Sequence, residues 1–126
     1  MSAQNKALVQ DVNEAMRRGD TEAFLARCTD DFVWTMVGDE PIAGKDAIRK
    51  WMALSPAEPP DFTVESVIAE GDTVVASGVM TMAENGRDVP YAFCDVWRIK
   101  GDKLASLNAY VVKTERALKT AAAGRG

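Results

Sequence analysis

Residues 89–112 read VPYAFCDVWRIKGDKLASLNAYVV, in which two runs rich in aromatic and β-branched residues flank Gly101-Asp102. Such runs around a glycine-containing turn predict a pair of antiparallel strands. Alternate side chains of a strand share one face of its sheet. In the first run, that face carries a single acid among large apolar side chains: Tyr91, Phe93, Asp95, Trp97 and Ile99.

A charged carboxylate in this company is costly. Asp95 is therefore expected either to find hydrogen-bond donors or to have a raised pKa and donate a hydrogen bond as the neutral acid. Either state suits polarising a carbonyl group or transferring a proton. The alternative is a purely structural role, in which Asp95 bonds a backbone N–H, an indole N–H or a tyrosine hydroxyl.

The rest of the C-terminal half also reads as β-structure. Residues 62–69 and 73–83 predict two strands, which precede strands at 89–100 and 104–114. Asn85-Gly86 is a strong hairpin signal, because a tight type I′ turn needs positive φ at both of its central residues. Tight turns between all four strands predict an antiparallel meander.

The N-terminal half predicts helices. Apolar residues fall at helical spacing over 5–18 and over 21–28, and a third helix begins at Lys45-Asp46 and ends no later than Pro56. Between them, 32–37 predicts a strand and 38–44 a loop, while the proline-rich stretch 55–60 predicts a connector. Helices followed by an antiparallel sheet are typical of the α+β class. Such a sheet, strongly curved, forms a cup, and a pocket can lie between its concave face and the helices.

The length, net charge and hydrophobic pattern of the chain argue against several kinds of function. A chain of 126 residues fits one domain, 1–126, with 115–126 as a tail that is either further helix or disordered. The net charge of −4 argues against a nucleic-acid partner. No apolar run is long enough to span a membrane and the first residues are polar, so we expect a cytoplasmic protein without a membrane partner.

The chain contains no histidine and two cysteines, Cys28 and Cys94. This composition excludes catalytic triads built on histidine and makes a zinc site of the usual type improbable. Carboxylates must then carry any proton transfer, and we expect neither a metal nor a cofactor. Asp30-Asp31 is predicted to form a turn and helix cap rather than a metal-binding pair.

An apolar lining is predicted around Asp95, because methionine and aromatic side chains suit an adaptable cavity. Each residue taken alone fits a plain hydrophobic core equally well. The predicted ligand-binding residues are Trp34, Met36, Trp51, Met80, Met82, Tyr91, Phe93, Trp97 and Val111.

Four blocks stand in order along the chain: TDDF at 29–32, GDEPIAG at 38–44, CDVWRI at 94–99 and KLASL at 103–107. Their order resembles the nuclear transport factor 2-like superfamily, in particular its ketosteroid isomerase-like and SnoaL-like branches. The resemblance implies a cone-shaped barrel of a strongly curved, mostly antiparallel sheet, with about three N-terminal helices covering its concave face. It also implies a homodimer through the convex sheet face, the alternative being a solvated face. That face would carry Arg98, Ser106, Asn108 and Tyr110.

The resemblance also implies roles for individual positions. The isomerases that this chain resembles use a tyrosine and a protonated aspartic acid as an oxyanion hole, with a second aspartate as proton shuttle. The protonated acid matches Asp95, the tyrosine position falls near Val12, and the shuttle position falls at Thr35 or Met36. Asp39 or Glu40 from the loop would be substitutes for the shuttle.

The similar SnoaL-like cyclases rely on one principal aspartate as acid and base. The resemblance therefore implies a protein that binds a small hydrophobic carbonyl or polycyclic molecule beside Asp95, with isomerase, cyclase or hydrolase-type lyase chemistry that uses a carboxylate and no metal. The alternative is a non-catalytic, dimeric protein that binds a small ligand.

Overall fold

The computed structural model describes residues 2–54 and 61–114. The predicted connector 55–60 and tail 115–126 lie outside these residues. The helices are α1 (Ser2–Arg17), α2 (Thr21–Ala26) and α3 (Lys45–Ala53). The strands are β1 (Cys28–Met36), β2 (Ile42–Ala43), β3 (Asp61–Glu70), β4 (Thr73–Glu84), β5 (Arg87–Lys100) and β6 (Lys103–Lys113).

The six strands form one sheet in the order β2-β1-β6-β5-β4-β3. All neighbours pair antiparallel except β1 and β6, which run parallel. The sheet is open, with β2 and β3 as its edges among the described residues. Asn85 and Gly86, with φ of 54° and 78°, form the predicted turn between β4 and β5. The predicted α+β class, a mostly antiparallel sheet preceded by three helices, is confirmed.

The turn between the first two helices is built by Gly19-Asp20, as their residue types predict. Gly19 adopts a φ of 74°, which glycine tolerates without a steric penalty. The Asp20 carboxylate then accepts a hydrogen bond of 3.1 Å from the backbone N–H of Ala23 and so caps α2. Phe24 and Leu25 of α2 are buried by this arrangement.

Two local predictions are wrong. Asp30 and Asp31 do not form a turn and cap but lie in β1, which begins at Cys28, so the second helix also ends earlier than predicted. Pairing of Cys28 with Leu104 on β6 overrides the local turn preference, and an irregular register before Val33 accommodates the two exposed acids. Within the predicted loop 38–44, Ile42–Ala43 forms β2 by pairing with β1.

The hydrophobic core lies between the helices and one face of the sheet, here called the concave face. Val9 and Val12 of α1 are fully buried against it. Phe24 of α2 makes edge-to-face contacts with rings at both sides, its centroid lying 5.7 Å from that of Trp34 and 6.4 Å from that of Trp97. Such pairs contribute about 0.5–1.5 kcal/mol each beyond their burial.

Gly78 allows the edge strand β3 to bend over the concave face. A Cβ atom at this position would lie 2.0 Å from the carbonyl oxygen of Thr63, so no larger residue fits without moving backbone. The β3–β4 register shifts between Val64 and Ser66 at the same place. Bulges of this kind increase the local twist and curvature of a strand.

None of the helices in the described ranges is long and apolar enough to cross a membrane. The predicted cytoplasmic location stays a prediction.

Candidate functional site

Asp95 lies on the concave face between two alanines. Its register partners are Ala76 on β4 and Ala109 on β6, both buried. Continuing outward, Ala109 pairs with Met36 of β1 and Ala76 pairs with Val67 of β3. Side chains of directly paired residues stand on the same side of a sheet. Asp95 is therefore the one acid in a row of apolar side chains that crosses five strands.

Burial raises the pKa of Asp95 from 3.8 to about 7, because removal from water penalises the charged carboxylate. Within the described ranges, no side chain forms an ion pair or a hydrogen bond with this group that would offset the penalty. The structural alternative of a bonded, fold-fixing acid thus has no support among these residues. Near neutral pH, both the acid and the carboxylate are populated, so Asp95 can donate a hydrogen bond or accept a proton.

From Asp95 toward the C-terminal end of β5, the concave face is covered by the hydrophobic core. Trp97, two residues along β5, is fully buried, and its register partners Val74 and Leu107 are buried with it. The indole N–H of Trp97 finds no hydrogen-bond acceptor among the described residues. Leaving such a group unpaired costs about 1–3 kcal/mol. Trp97 thus lies in the packed core, next to Asp95 on the same face of β5.

In the opposite direction along β5, from Asp95 toward Tyr91, the concave face is less completely covered. Phe93 is 7% exposed and pairs with Gly78 and Val111, the latter only partly buried. Its ring meets that of Phe62 edge to face at a centroid distance of 6.3 Å. Beyond it, Met80 and Met82 are partly buried and lie on the same face by register. Asp95 thus stands at the boundary between the core and this apolar belt of Phe62, Phe93, Met80 and Met82.

Three predicted residues come from the β1 side of the cone. Trp34 is buried, its indole N–H has no acceptor among the described residues, and Met36 packs against the core. Trp51 of α3, 36% exposed, meets Trp34 at a centroid distance of 5.2 Å. The structure therefore places every predicted ligand-binding residue except Trp51 on the concave face of the sheet. Trp51 lies on α3 and contacts these residues through the ring of Trp34.

Tyr91 also lies on this face, but its surroundings are polar. Its hydroxyl donates a hydrogen bond to Oε2 of Glu84. The Nζ atom of Lys113 lies 2.9 Å from Oε1 of the same carboxylate. Neither Glu84 nor Lys113 is among the residues predicted from sequence. Counting alternate residues back from the Asn85-Gly86 hairpin would have placed Glu84 on this face.

The positions that match the other isomerase residues carry no acid–base group. Val12 is fully buried in α1. Thr35 pairs with Asn108 and so points to the convex face, whereas Met36 points to the concave face. Asp39 and Glu40 are exposed in the turn that follows β1. Val12, Thr35 and Met36 carry no carboxyl group, and Asp39 and Glu40 are exposed, so none of the five supplies a second acid in the surroundings described for Asp95.

Two surface hollows lie away from these residues. One, of about 290 Å³, is lined by residues of α1 and α2 and of the turns that follow them, including Asp11 and Arg27. The other, of about 500 Å³, surrounds the start of α3 and includes Lys45 and Asp46. Neither is lined by Asp95 or by any predicted ligand-binding residue. In the parts of the chain that the structure describes, no three acidic or cysteine side chains group closely enough to hold a metal ion.

A curved, mostly antiparallel sheet wrapped around N-terminal helices, with Asp95 among apolar side chains on its concave face, defines a class of small α+β cone proteins. Within that class, the chain belongs to the SnoaL-like domain family, whose model matches residues 9–107. No curated protein matches the chain.

Solved structures share the fold. A nuclear transport factor 2-like protein of unknown function from Burkholderia pseudomallei K96243 is 25% identical, with a TM-score of 0.79 over 87% of this chain and 91% of that one. A proposed ketosteroid isomerase from Kribbella flavida DSM 17836 is 15% identical, with a TM-score of 0.79 over 90% and 81%. A proposed SnoaL-like polyketide cyclase from Jannaschia sp. CCS1 is 18% identical, with a TM-score of 0.77 over 95% and 92%.

Proposed function

We propose that this protein binds a small, largely apolar carbonyl or polycyclic compound on the concave face, and that Asp95 meets the carbonyl oxygen as a hydrogen-bond donor. The observation that carries the proposal is that the Asp95 carboxyl group has no bonded partner among the described residues and has a pKa raised to about 7. A neutral carboxyl group between two alanines offers a donor to a ligand that brings its own acceptor.

The same group supports acid–base chemistry. As the acid, Asp95 polarises a carbonyl; as the carboxylate, it accepts a proton from the carbon beside that carbonyl. A pKa near the working pH favours both roles. Isomerisation needs only such proton transfers, whereas an aldol-type cyclisation also joins the enolate carbon to a second carbonyl carbon, whose C=O π bond breaks and whose oxygen takes up the proton. The names of the Kribbella and Jannaschia structures agree with this class of chemistry.

The second candidate is a binding protein without catalysis. It is favoured by Val12 and Met36, which place apolar side chains where the isomerases that this chain resembles have a tyrosine and a shuttle aspartate. With one acid instead of three functional groups, the site would hold a carbonyl ligand and leave it unchanged. Native mass spectrometry separates the two candidates, because a binder retains the ligand at its original mass.

Binding is tested with two ligands that differ only at the carbonyl, 4-acetylbiphenyl and 4-ethylbiphenyl. We expect the wild-type protein at pH 6 to bind the ketone about tenfold more tightly, since a buried hydrogen bond contributes about 1 kcal/mol or more. This preference should fall as pH rises through about 7 and the donor is lost. Asp95→Ala should abolish the preference at every pH.

Asp95→Asn and Asp88→Asn are the controls. The amide introduced by Asp95→Asn keeps a donor but cannot titrate, so the ketone preference should persist and become independent of pH. Asp88 is an exposed acid on the same strand, and its replacement should leave wild-type behaviour. Equal affinity of the wild-type protein for ketone and hydrocarbon at pH 6 would refute the proposed role of Asp95 in binding.

Catalysis is tested by proton exchange, which needs no knowledge of the natural substrate. We expect the wild-type protein to accelerate deuterium incorporation beside the carbonyl of 2-tetralone in D₂O by at least about tenfold over buffer. Asp95→Asn should remove the acceleration, and Asp88→Asn should not. Retained ketone binding without any acceleration would favour the non-catalytic candidate.

We further propose a homodimer through the convex face. Three large apolar side chains are exposed there: Ile68 is 64% exposed, Tyr110 47% and Val112 63%. Arg98 also lies on this face and is exposed, while Ser106 and Asn108 are partly buried. Aromatic and arginine side chains are enriched at protein interfaces, and contiguous exposed apolar surface marks interaction sites.

The cytoplasmic location is likewise proposed. Its support is that both cysteines, Cys28 and Cys94, are free, as expected in a reducing compartment. Fractionation of cells that express the full chain tests it, and recovery with the secreted fraction would contradict it.

A further inference from the structure

The apolar belt on the concave face ends in a polar group of three residues, here called the distal cluster: Glu84, Tyr91 and Lys113. The Glu84 carboxylate accepts a hydrogen bond from the Tyr91 hydroxyl, and its other oxygen lies 2.9 Å from Nζ of Lys113. The three residues come from three consecutive strands of the sheet, β4, β5 and β6. They are brought together by strand register alone.

The distal cluster lies on the same face as Asp95. Tyr91 is four residues before Asp95 on β5, so the two Cα atoms are roughly 13 Å apart along the strand. Tyr91 pairs with Met80 and Lys113. Glu84 lies four residues after Met80 on β4, so its side chain is on the same face of the sheet. The concave face thus presents an acid, an apolar belt and then the distal cluster.

The belt between them is firmly held. Phe62, the partner of Met80, is covered by Arg17 of α1, whose guanidinium carbon lies 4.4 Å from the ring centroid. The Arg17 guanidinium also donates a hydrogen bond of 3.1 Å to the carbonyl oxygen of Phe62. This contact fixes β3 against α1, while the spacing between Asp95 and the distal cluster is set by the continuous strand β5 and its pairing with β4 and β6.

The hydrogen-bond donors and acceptors of the distal cluster fit a hydroxyl group of a ligand. Among the described residues, the Lys113 ammonium has N–H donors beyond those of its Glu84 contact, and the Tyr91 oxygen and Glu84 carboxylate have further lone pairs. The side chain of Lys113 is 57% exposed and that of Glu84 34%, so both are accessible to a ligand. A hydroxyl can accept from Lys113 and donate to Glu84 or Tyr91. A carboxylate would meet the negative charge of Glu84.

We infer that the distal cluster is a second binding subsite, which takes a hydroxyl group of the ligand whose carbonyl meets Asp95. The inference rests on the proposed function. It narrows the ligand class to elongated, rigid, mainly apolar hydroxyketones long enough to reach from Asp95 to the distal cluster, whose strand positions lie roughly 13 Å apart.

The test uses 4-acetyl-4′-hydroxybiphenyl and 4-acetyl-4′-methylbiphenyl, which differ only by hydroxyl against methyl at the distal end. Titration calorimetry of the full chain at pH 6 should show the hydroxyl ligand bound about tenfold more tightly. Tyr91→Phe and Lys113→Met should each reduce this ratio toward one. Lys100→Met, which removes an exposed lysine at the far end of β5, should leave the ratio unchanged.

The acetyl group provides an independent readout. In Tyr91→Phe and Lys113→Met, the preference for 4-acetylbiphenyl over 4-ethylbiphenyl should persist, which also shows that the variants fold. In Asp95→Ala, the acetyl preference should vanish and the hydroxyl preference should remain. An intact acetyl preference without a hydroxyl preference in the wild-type protein overturns the distal subsite alone. Absence of binding by any of these ligands overturns the subsite and the proposed function together.

Discussion

Asp95 on β5 and Ala109 on β6 are register partners, so the nearest side chain on that flank of the carboxyl group is a single methyl group. Ala76 repeats this relationship on the other flank. Two larger residues would have filled the space above the sheet, and two polar residues would have bonded the acid. The alanines do neither, and the carboxyl group has no bonded partner among the described residues.

The stability of the protein should depend on pH through Asp95. Its pKa is about 7 in the folded protein and 3.8 when unperturbed, so the folded state binds the proton more tightly and loses stability as pH rises through this interval. Between pH 5 and pH 8, the loss should be at most on the order of 3 kcal/mol. Urea unfolding at both pH values measures it.

Asp95→Asn should remove most of that dependence and be more stable than the wild-type protein at pH 8. Asp88→Asn should unfold with the wild-type pH profile, because Asp88 is exposed. A wild-type unfolding free energy that does not fall between pH 5 and pH 8 would show that Asp95 is already ionised at the lower value.

Gly78 should tolerate no side chain. Gly78→Ala would place a methyl group 2.0 Å from the Thr63 carbonyl oxygen, which belongs to backbone and cannot rotate away. We expect a loss of at least about 3 kcal/mol in the free energy of unfolding. The neighbouring Ser77→Ala is the control and should change stability by less than about 1 kcal/mol. Near-equal stability of the two variants would contradict the close approach of β3.

The sequence predicts most of the fold because its signals are local. Asn85-Gly86 sets the turn of one hairpin, and the register that follows from it puts Ala76 beside Asp95. Gly101-Asp102 sets the other turn, but Ala109 faces Asp95 only because the β5–β6 register shifts between Arg98 and Ile99, which the turn does not predict. The errors occur where pairing is non-local. Nothing within 38–44 indicates that Ile42 pairs with Trp34, since that contact depends on how the chain folds back.

The candidate site is only partly predictable for the same reason. Alternation along β5 suffices to place Asp95 among apolar side chains. It does not show that Trp97 is sealed into the core by Phe24, because α2 supplies that contact. Nor does it show that Glu84 and Lys113 meet at Tyr91, which requires the register of three strands at once.

The two cysteines should differ in reactivity. Cys28 is fully buried, and burial raises the pKa of its thiol to about 12, so almost no thiolate is present at pH 8. Cys94 is partly exposed. In the Val112→Lys variant, in which the convex face that carries Cys94 is open, a thiol-disulfide reagent such as DTNB should therefore modify one thiol per native chain and two in urea. The Cys94→Ser variant should show no fast reaction, and rapid labelling of it would contradict the burial of Cys28.

The proposed dimer predicts that a charge on the convex face weakens self-association. Analytical ultracentrifugation of the wild-type protein should give a dimer at micromolar concentration, and Val112→Lys should shift it toward monomer. Leu54→Lys is the matched control, because Leu54 is 87% exposed and lies at the end of α3, away from the sheet. A wild-type chain that stays monomeric at high micromolar concentration would refute the dimer.

The central claim is that Asp95 donates a hydrogen bond to a ligand carbonyl, and the infrared carbonyl stretch of bound, ¹³C-labelled 4-acetylbiphenyl tests it most directly. A hydrogen bond to the carbonyl oxygen lowers this frequency. We predict a lower frequency with the wild-type protein at pH 6 than with Asp95→Ala, and loss of that difference as pH rises through about 7. Identical frequencies in the wild-type protein and Asp95→Ala at pH 6 would contradict the account.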